Sequence, residues 1–122
     1  PTGPLQLVSE DGFVVLVGRN SRQNEIVTFK RAAPDDLWLH AHGVPGAHVV
    51  VKSGGRPVSP RTLEYAARLA AAHSAARDEA DIWVDVVERK RVRPLKGGQN
   101  RPGLVTYSGS RSVRVAPIKN PD

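Results

Sequence analysis

No cysteine or methionine occurs in these 122 residues, and only six residues are aromatic: two Trp, two Tyr and two Phe. The missing thiols exclude a disulfide framework, a Cys-ligated zinc site and a thiol nucleophile. They permit a reducing compartment, and a cytoplasmic location is expected. Apolar runs such as Phe13 to Val17 reach about five residues, far below the ~20 that a membrane-spanning helix needs, so no membrane partner is expected. The chain opens Pro1-Thr2-Gly3 without an initiator Met, which reads as a piece of a longer protein. At this length one domain is expected over residues 1–122, because two would each lack an adequate core.

Acidic residues are missing from one stretch in particular. Residues 1–88 hold 9 Lys+Arg against 11 Asp+Glu, whereas 89–121 hold nine cations and no acid; Asp122 brings the net charge to +6. A single-sign block of this kind attracts polyanions, nucleic acid foremost. Apolar residues at alternate spacing (Val92, Leu104, Val105, Tyr107, Val113, Val115) argue that the block is folded.

The pattern along the chain predicts an α+β fold: a mostly antiparallel sheet with one long Ala-rich helix and one shorter helix. Leu5–Val8 and Phe13–Val17 flank a Gly12 turn as a hairpin. Ser21 is placed to cap a short helix running to about Arg31. Leu37–His40 and Ala47–Lys52 read as strands joined through Gly43-Val44-Pro45-Gly46. Ser59-Pro60 starts the Ala-rich helix, which is expected to reach about Arg77. Three strands follow: Ile82 to about Arg93, Leu104–Tyr107 and Ser112–Val115.

If the first of these stays extended, Arg89, Arg91 and Arg93 share a face at ~6.6 Å intervals, a row able to track a phosphate backbone. Lys90 lies among them. The loop Lys96-Gly97-Gly98-Gln99-Asn100-Arg101-Pro102-Gly103 adds two cations and exposed backbone N–H groups for phosphate oxygens.

Asp35, Asp36, His40, His42 and His48 fall within fourteen residues. His40 and His42 on one strand face would form a possible pair of metal ligands, and with Asp36 they define an alternative reading as a metal-dependent hydrolase. A loop of Gly43 to Gly46 puts His42 opposite Ala47 and Ala41 opposite His48, so that His48 lies on the other face and no third ligand is supplied. Hydrogen-bonded structural or RNA-contacting histidines are the simpler expectation. Trp38 and Trp83 read as core or half-core residues, with base stacking as the sharper alternative. No nucleophile elbow or phosphate-binding lysine loop occurs, so no catalytic residue, cofactor or metal is expected and the chain is not expected to be an enzyme.

The segments VGRNSRQNE (17–25), DDLWLHAHGVPGAHVVVK (35–52), LEYAARLAAAHSAAR (63–77) and KGGQNRPGLVTYS (96–108) together resemble the NFACT-R domain. This is the C-terminal RNA-binding module of the NFACT family, the RqcH- and NEMF-type, fibronectin-binding-protein-like factors of ribosome quality control. The resemblance covers about residues 13–117. It implies an α+β RNA-binding module of a factor that acts on obstructed large ribosomal subunits and supports alanine tailing. The implied partners are tRNA, ribosomal RNA and the other domains of the parent protein. It places Asn20 and Asn24 on an N-x-x-x-N element, Asp36, Trp38, His40, Pro45, Gly46 and His48 on the central signature, and Lys96, Gly97, Pro102 and Gly103 on a K-G…P-G loop. His42, Ala47 and Ser74-Ala75 depart from the family pattern, which commonly has a basic residue, Ser and Ser-Lys there. The reading is a noncatalytic RNA-binding domain with phosphate contacts from Arg89, Lys90, Arg91, Arg93, Lys96 and Arg101. A third reading is a protein-docking module that packs through Trp38 or the Ala-rich helix.

Overall fold

A computed structural model describes residues 3–96 and 101–120, so Gly97 of the K-G…P-G loop lies outside the described residues. The strands are β1 (Leu5–Val8), β2 (Val14–Gly18), β3 (Leu37–Ala41), β4 (His48–Val51), β5 (Ile82–Glu88), β6 (Val92–Pro94), β7 (Val105–Tyr107) and β8 (Arg111–Val115). Six of them form one sheet in the order β1-β2-β4-β3-β5-β8, every neighbouring pair antiparallel, while β6 and β7 pair as a separate hairpin. The α+β reading therefore holds.

Both faces of the sheet are covered, which explains why β2 and β4 are almost continuously apolar instead of alternating. On one face lies helix α2 (Pro60–Ala72), whose Ala66, Ala67, Ala70 and Ala71 are buried against Val15, Val17, Val49, Val51 and Leu39. Small side chains let the helix axis come close to the strands. The other face is built around Trp38, with Leu16, Val50, Val87, Val27 and Val92. Its cover is supplied by helix α1 (Ser21–Glu25), the π-helix that continues it (Ile26–Arg31) and the β6–β7 hairpin.

Helix limits differ from expectation for identifiable reasons. Asn20, not Ser21, caps α1: it is extended (φ −153°, ψ 173°) and its side chain accepts from Gln23 N–H at 2.9 Å. The helical stretch does reach Arg31 but widens, with Ala32 N–H bonding the Val27 carbonyl five residues back. Ser59 caps α2 as expected, accepting from Thr62 N–H at 3.1 Å. The helix stops at Ala72 because the chain beyond it pairs with the β3–β4 loop instead: Ala47 N–H bonds the His73 carbonyl at 3.0 Å and Ala75 N–H bonds the Pro45 carbonyl at 2.8 Å.

Two strand expectations are corrected. Leu37 pairs with Val51, Trp38 with Val50 and Leu39 with Val49, a register one residue away from the one anticipated. Because side chains alternate, that single step puts His48 opposite His40 on the same face. The long strand to Arg93 is broken after Glu88 by a 3₁₀ turn at Arg89–Arg91. Arg89 N–H bonds the Asp36 carbonyl and Lys90 N–H bonds the Pro34 carbonyl, which turn the backbone so that Val92 enters the Trp38 core.

Candidate nucleic-acid interface

A cleft of about 600 Å³ opens between the start of α1, the β3–β4 loop, the segment after α2 and residues 102–104. Asn20, Asn24, His40 and His48 line it, and so do Pro45, Gly46, Pro102 and Gly103. Residues up to 85 positions apart in sequence, Arg19 and Leu104, thus line one cleft.

Glycines and one amide hold these segments together. Asn24 accepts from His48 N–H at 2.9 Å and donates to the Gly46 carbonyl at 3.3 Å, pinning the first residue of β4 to α1. Gly18 leaves room for it, since a Cβ there would sit 2.5 Å from Asn24 Oδ1. A Cβ on Gly46 would meet Ser74 Cβ at 2.9 Å, and one on Gly103 (φ +85°) would meet the Ser21 carbonyl at 2.9 Å. Gly103 N–H is further held by the Glu25 carboxylate at 3.1 Å. These signature positions therefore build the cleft by close backbone approach.

Beneath the cleft runs a polar thread through the core. Trp38 Nε1–H donates to Thr28 Oγ1 at 3.0 Å, and Thr28 Oγ1 lies 2.8 Å from His48 Nδ1. Thr28 Oγ1 thus joins the indole to the His48 ring, which also has a hydrogen bond with the Gly103 backbone. Burial, reinforced by the neighbouring His40, pushes His48 down to about 3, and burial also lowers His40. The two rings stand 5.6 Å apart at a steep angle, with Trp38 against both. At neutral pH the cleft floor is uncharged.

Trp38 is fully buried, which removes it both as a base-stacking surface and as a docking surface. The alanine stripe of α2 is likewise occupied by the sheet. Asp36 faces elsewhere, accepting from Lys52 Nζ, Ala33 N–H and Gly54 N–H at 2.7, 2.7 and 2.8 Å. Burial pushes its pKa up, but the bonds from Lys52, Ala33 and Gly54 outweigh it and hold Asp36 below the usual carboxylate range. It is a structural brace, and Asp36, His40 and His42 are not brought together. Among the described residues no group of three His, Asp or Glu is arranged to hold a metal.

The six expected phosphate-binding cations divide into two sets. Arg89, Lys90 and Arg91 form the 3₁₀ turn that follows Glu88, which pairs with Leu37 at the end of β3 away from the cleft. Arg89 is occupied, donating to the Thr28 carbonyl at 2.5 Å and lying 4.8 Å from the Phe29 ring. Lys90 bonds Asp35 at 3.0 Å, and Arg91 packs over Gly109. Arg93 points outward from β6, so the expected row of three guanidiniums does not form. Lys96 and Arg101 are exposed at the hairpin end where Leu95 N–H bonds the Leu104 carbonyl, and Leu104 lines the cleft. Arg19 and Arg77, not singled out from sequence, also line it.

A second polar cluster was missed as well. Asp85, only 2% exposed, accepts from Tyr107 Oη–H, from Ser112 Oγ–H at 2.8 Å and from His42 Nδ1 at 2.9 Å. Burial works against its charge, and the bonds from Tyr107, His42 and Ser112 still leave it below the ordinary carboxylate value. Burial and Asp85 together push the Tyr107 hydroxyl up. The one hint in the sequence was a lone Asp in the apolar run of β5.

A family model described as the NFACT protein RNA binding domain matches residues 5–107. The chain belongs to this family. Similar proteins include the Rqc2 homolog RqcH of Streptococcus pneumoniae (42% identical over 111 residues, 91% of this chain and 20% of the relative) and RqcH of Bacillus subtilis (40% over 109 residues, 89% and 18%). The human ribosome quality control complex subunit NEMF is 36% identical over 86 residues, 66% of this chain and 8% of that protein. Among solved structures, the C-terminal part of the fibronectin/fibrinogen-binding protein from Streptococcus suis superposes with a TM-score of 0.89 at 38% identity, covering 99% of this chain and 48% of that one. This NFACT-R chain spans about a fifth of the length of the bacterial relatives it matches. No helix among the described residues is long and apolar enough to cross a membrane.

Proposed function

We propose that this NFACT-R chain is the noncatalytic RNA-contacting module of a longer, cytoplasmic ribosome quality control factor. Its RNA is tRNA or ribosomal RNA on obstructed large subunits, and its parent supports C-terminal alanine tailing. The observation that supports this reading is the convergence of eight signature residues on one cleft with arginines and a lysine around it. The floor is neutral and hydrogen-bonded internally, so attraction to RNA falls to the cations around it: Arg19 and Arg77 in the cleft lining, Lys96 and Arg101 at the end of the β6–β7 hairpin, and Arg93 along that hairpin. Lys90 and Arg91 are exposed on a separate surface, and Arg89 serves the fold.

Salt dependence tests the assignment. Each phosphate neutralised on single-stranded RNA contributes a slope of roughly −0.7 in log affinity against log salt. Replacing Arg93, Lys96 and Arg101 together by Ala is expected to reduce the slope by about 2. A Lys90→Ala, Arg91→Ala variant is expected to change it little; the reverse outcome would move the RNA to the 3₁₀ turn. In the full-length factor, the triple variant is expected to shorten alanine tails on stalled chains.

A further inference from the structure

We propose that Trp83 and His42 form a second RNA contact beside the cleft: an unpaired base stacks on the indole, and His42 Nε2 accepts a hydrogen bond from a ribose 2′-hydroxyl. This rests on the RNA-binding reading and specifies where one nucleotide sits.

Trp83 is 53% exposed, the one aromatic ring of the described residues on the open surface. Its neighbours Ile82 and Val84 are buried toward α2, so the indole points to the opposite face. Nothing in the fold requires a large apolar ring there. His42 stands alongside, because its N–H bonds the Trp83 carbonyl at 2.8 Å and prolongs the β3–β5 ladder by one residue.

The imidazole is oriented by a buried group. An ionised carboxylate only accepts hydrogen bonds, and the other partners of Asp85 are the hydroxyls of Tyr107 and Ser112. His42 Nδ1 must therefore carry the proton, which in the neutral ring leaves Nε2 as an acceptor on a side chain that is 66% exposed. The ribose 2′-hydroxyl is the donor that separates RNA from DNA. Arg114, the register partner of Trp83, lies 6.0 Å from the indole centre and supplies positive charge for the adjoining phosphate. Its 3.5 Å pair with Asp81 is between exposed groups and holds it only weakly.

Position links this contact to the cleft. His40 lines the cleft and pairs in register with Asp85, and His42 lies two residues farther along, ~6.6 Å on an extended strand. That step is comparable with the spacing of successive nucleotides in an extended chain, so one strand can occupy both places.

The test is a fluorescence titration of the full chain with a mixed-sequence single-stranded RNA decamer and its DNA counterpart. RNA is expected to quench the Trp83 emission, whereas Trp83→Phe, which leaves only the buried Trp38, shows no quenching. Trp83→Ala should weaken RNA binding by about 5- to 150-fold, the range for losing one stacked base. His42→Ala should erase much of the preference for RNA over DNA. Trp83 is exposed, so its variants keep their thermal midpoint. RNA binding with unquenched emission and an unchanged affinity in Trp83→Ala would overturn this contact and leave the RNA-binding reading standing. Failure of the unaltered chain to bind any RNA would overturn both.

Discussion

Acidification offers a direct measure of the His48 environment. The unfolded ring titrates near 6.5, and in the fold burial and His40 hold it near 3. Between those values the unfolded chain binds the proton and the folded chain does not, so stability falls as the pH drops below 6.5. At pH 4.5, two units below the unfolded value, His48 alone accounts for a loss of about 2.7 kcal/mol relative to neutral pH. His40, also lowered, adds in the same direction. Asp36 and Asp85 act elsewhere on the scale: both lie below 3.8, so their contribution is lost only as the pH falls through the acid range beneath that value. The interval from 6.5 to 4.5 therefore reports mainly on the histidines. Urea denaturation at half-unit pH steps should show the loss, which corresponds to a fall in thermal midpoint of roughly 8–12 °C for a chain of this size. His48→Gln should flatten the profile in that interval. If the unaltered chain keeps constant stability from pH 6.5 to 4.5, the neutral, buried His48 and the thread beneath the cleft are refuted, whether or not the variant folds.

Two further outcomes follow from the same geometry. Gly103→Ala adds a Cβ 2.9 Å from the Ser21 carbonyl at φ +85°, and is expected to cost about 1–3 kcal/mol in urea denaturation while weakening RNA binding through displacement of the 102–104 segment. Thr28→Val keeps the shape but strands Trp38 Nε1–H and His48 Nδ1 in the core, a loss of about 2–5 kcal/mol, whereas Thr28→Ser should recover most of it.

Local rules carried much of the fold. Alternation and Gly12 marked the β1–β2 hairpin, and Ser59-Pro60 marked the start of α2, because those signals lie within a few residues of the structure they specify. Failures came where distant segments decide. The end of α2 is set by Pro45 and Ala47, about thirty residues upstream, and the break after Glu88 by the carbonyls of Pro34 and Asp36. The β3–β4 register turned on a single residue of loop length, enough to exchange the faces of His48 and Ala47. At the site, the resemblance picked out Asn24, Gly46, His48 and Gly103, but their work is mutual and visible only once α1, the β3–β4 loop and the 102–104 segment meet. Thr28 and Asp85 carried no motif; what distinguishes them is a polar group in an otherwise apolar interior, apparent only when the interior is known.

The widened turn at Ile26–Arg31 makes this stretch sensitive to length as well as composition. Removing one residue there would restore ordinary ~3.6-residue spacing, leaving the flanks near their present orientation but displacing the residues inside the turn around its axis. A deletion just ahead of Thr28 would carry that side chain away from Trp38 and His48. A one-residue deletion should thus be harsher than most single substitutions in the same helix, although it leaves every side chain named above in the chain.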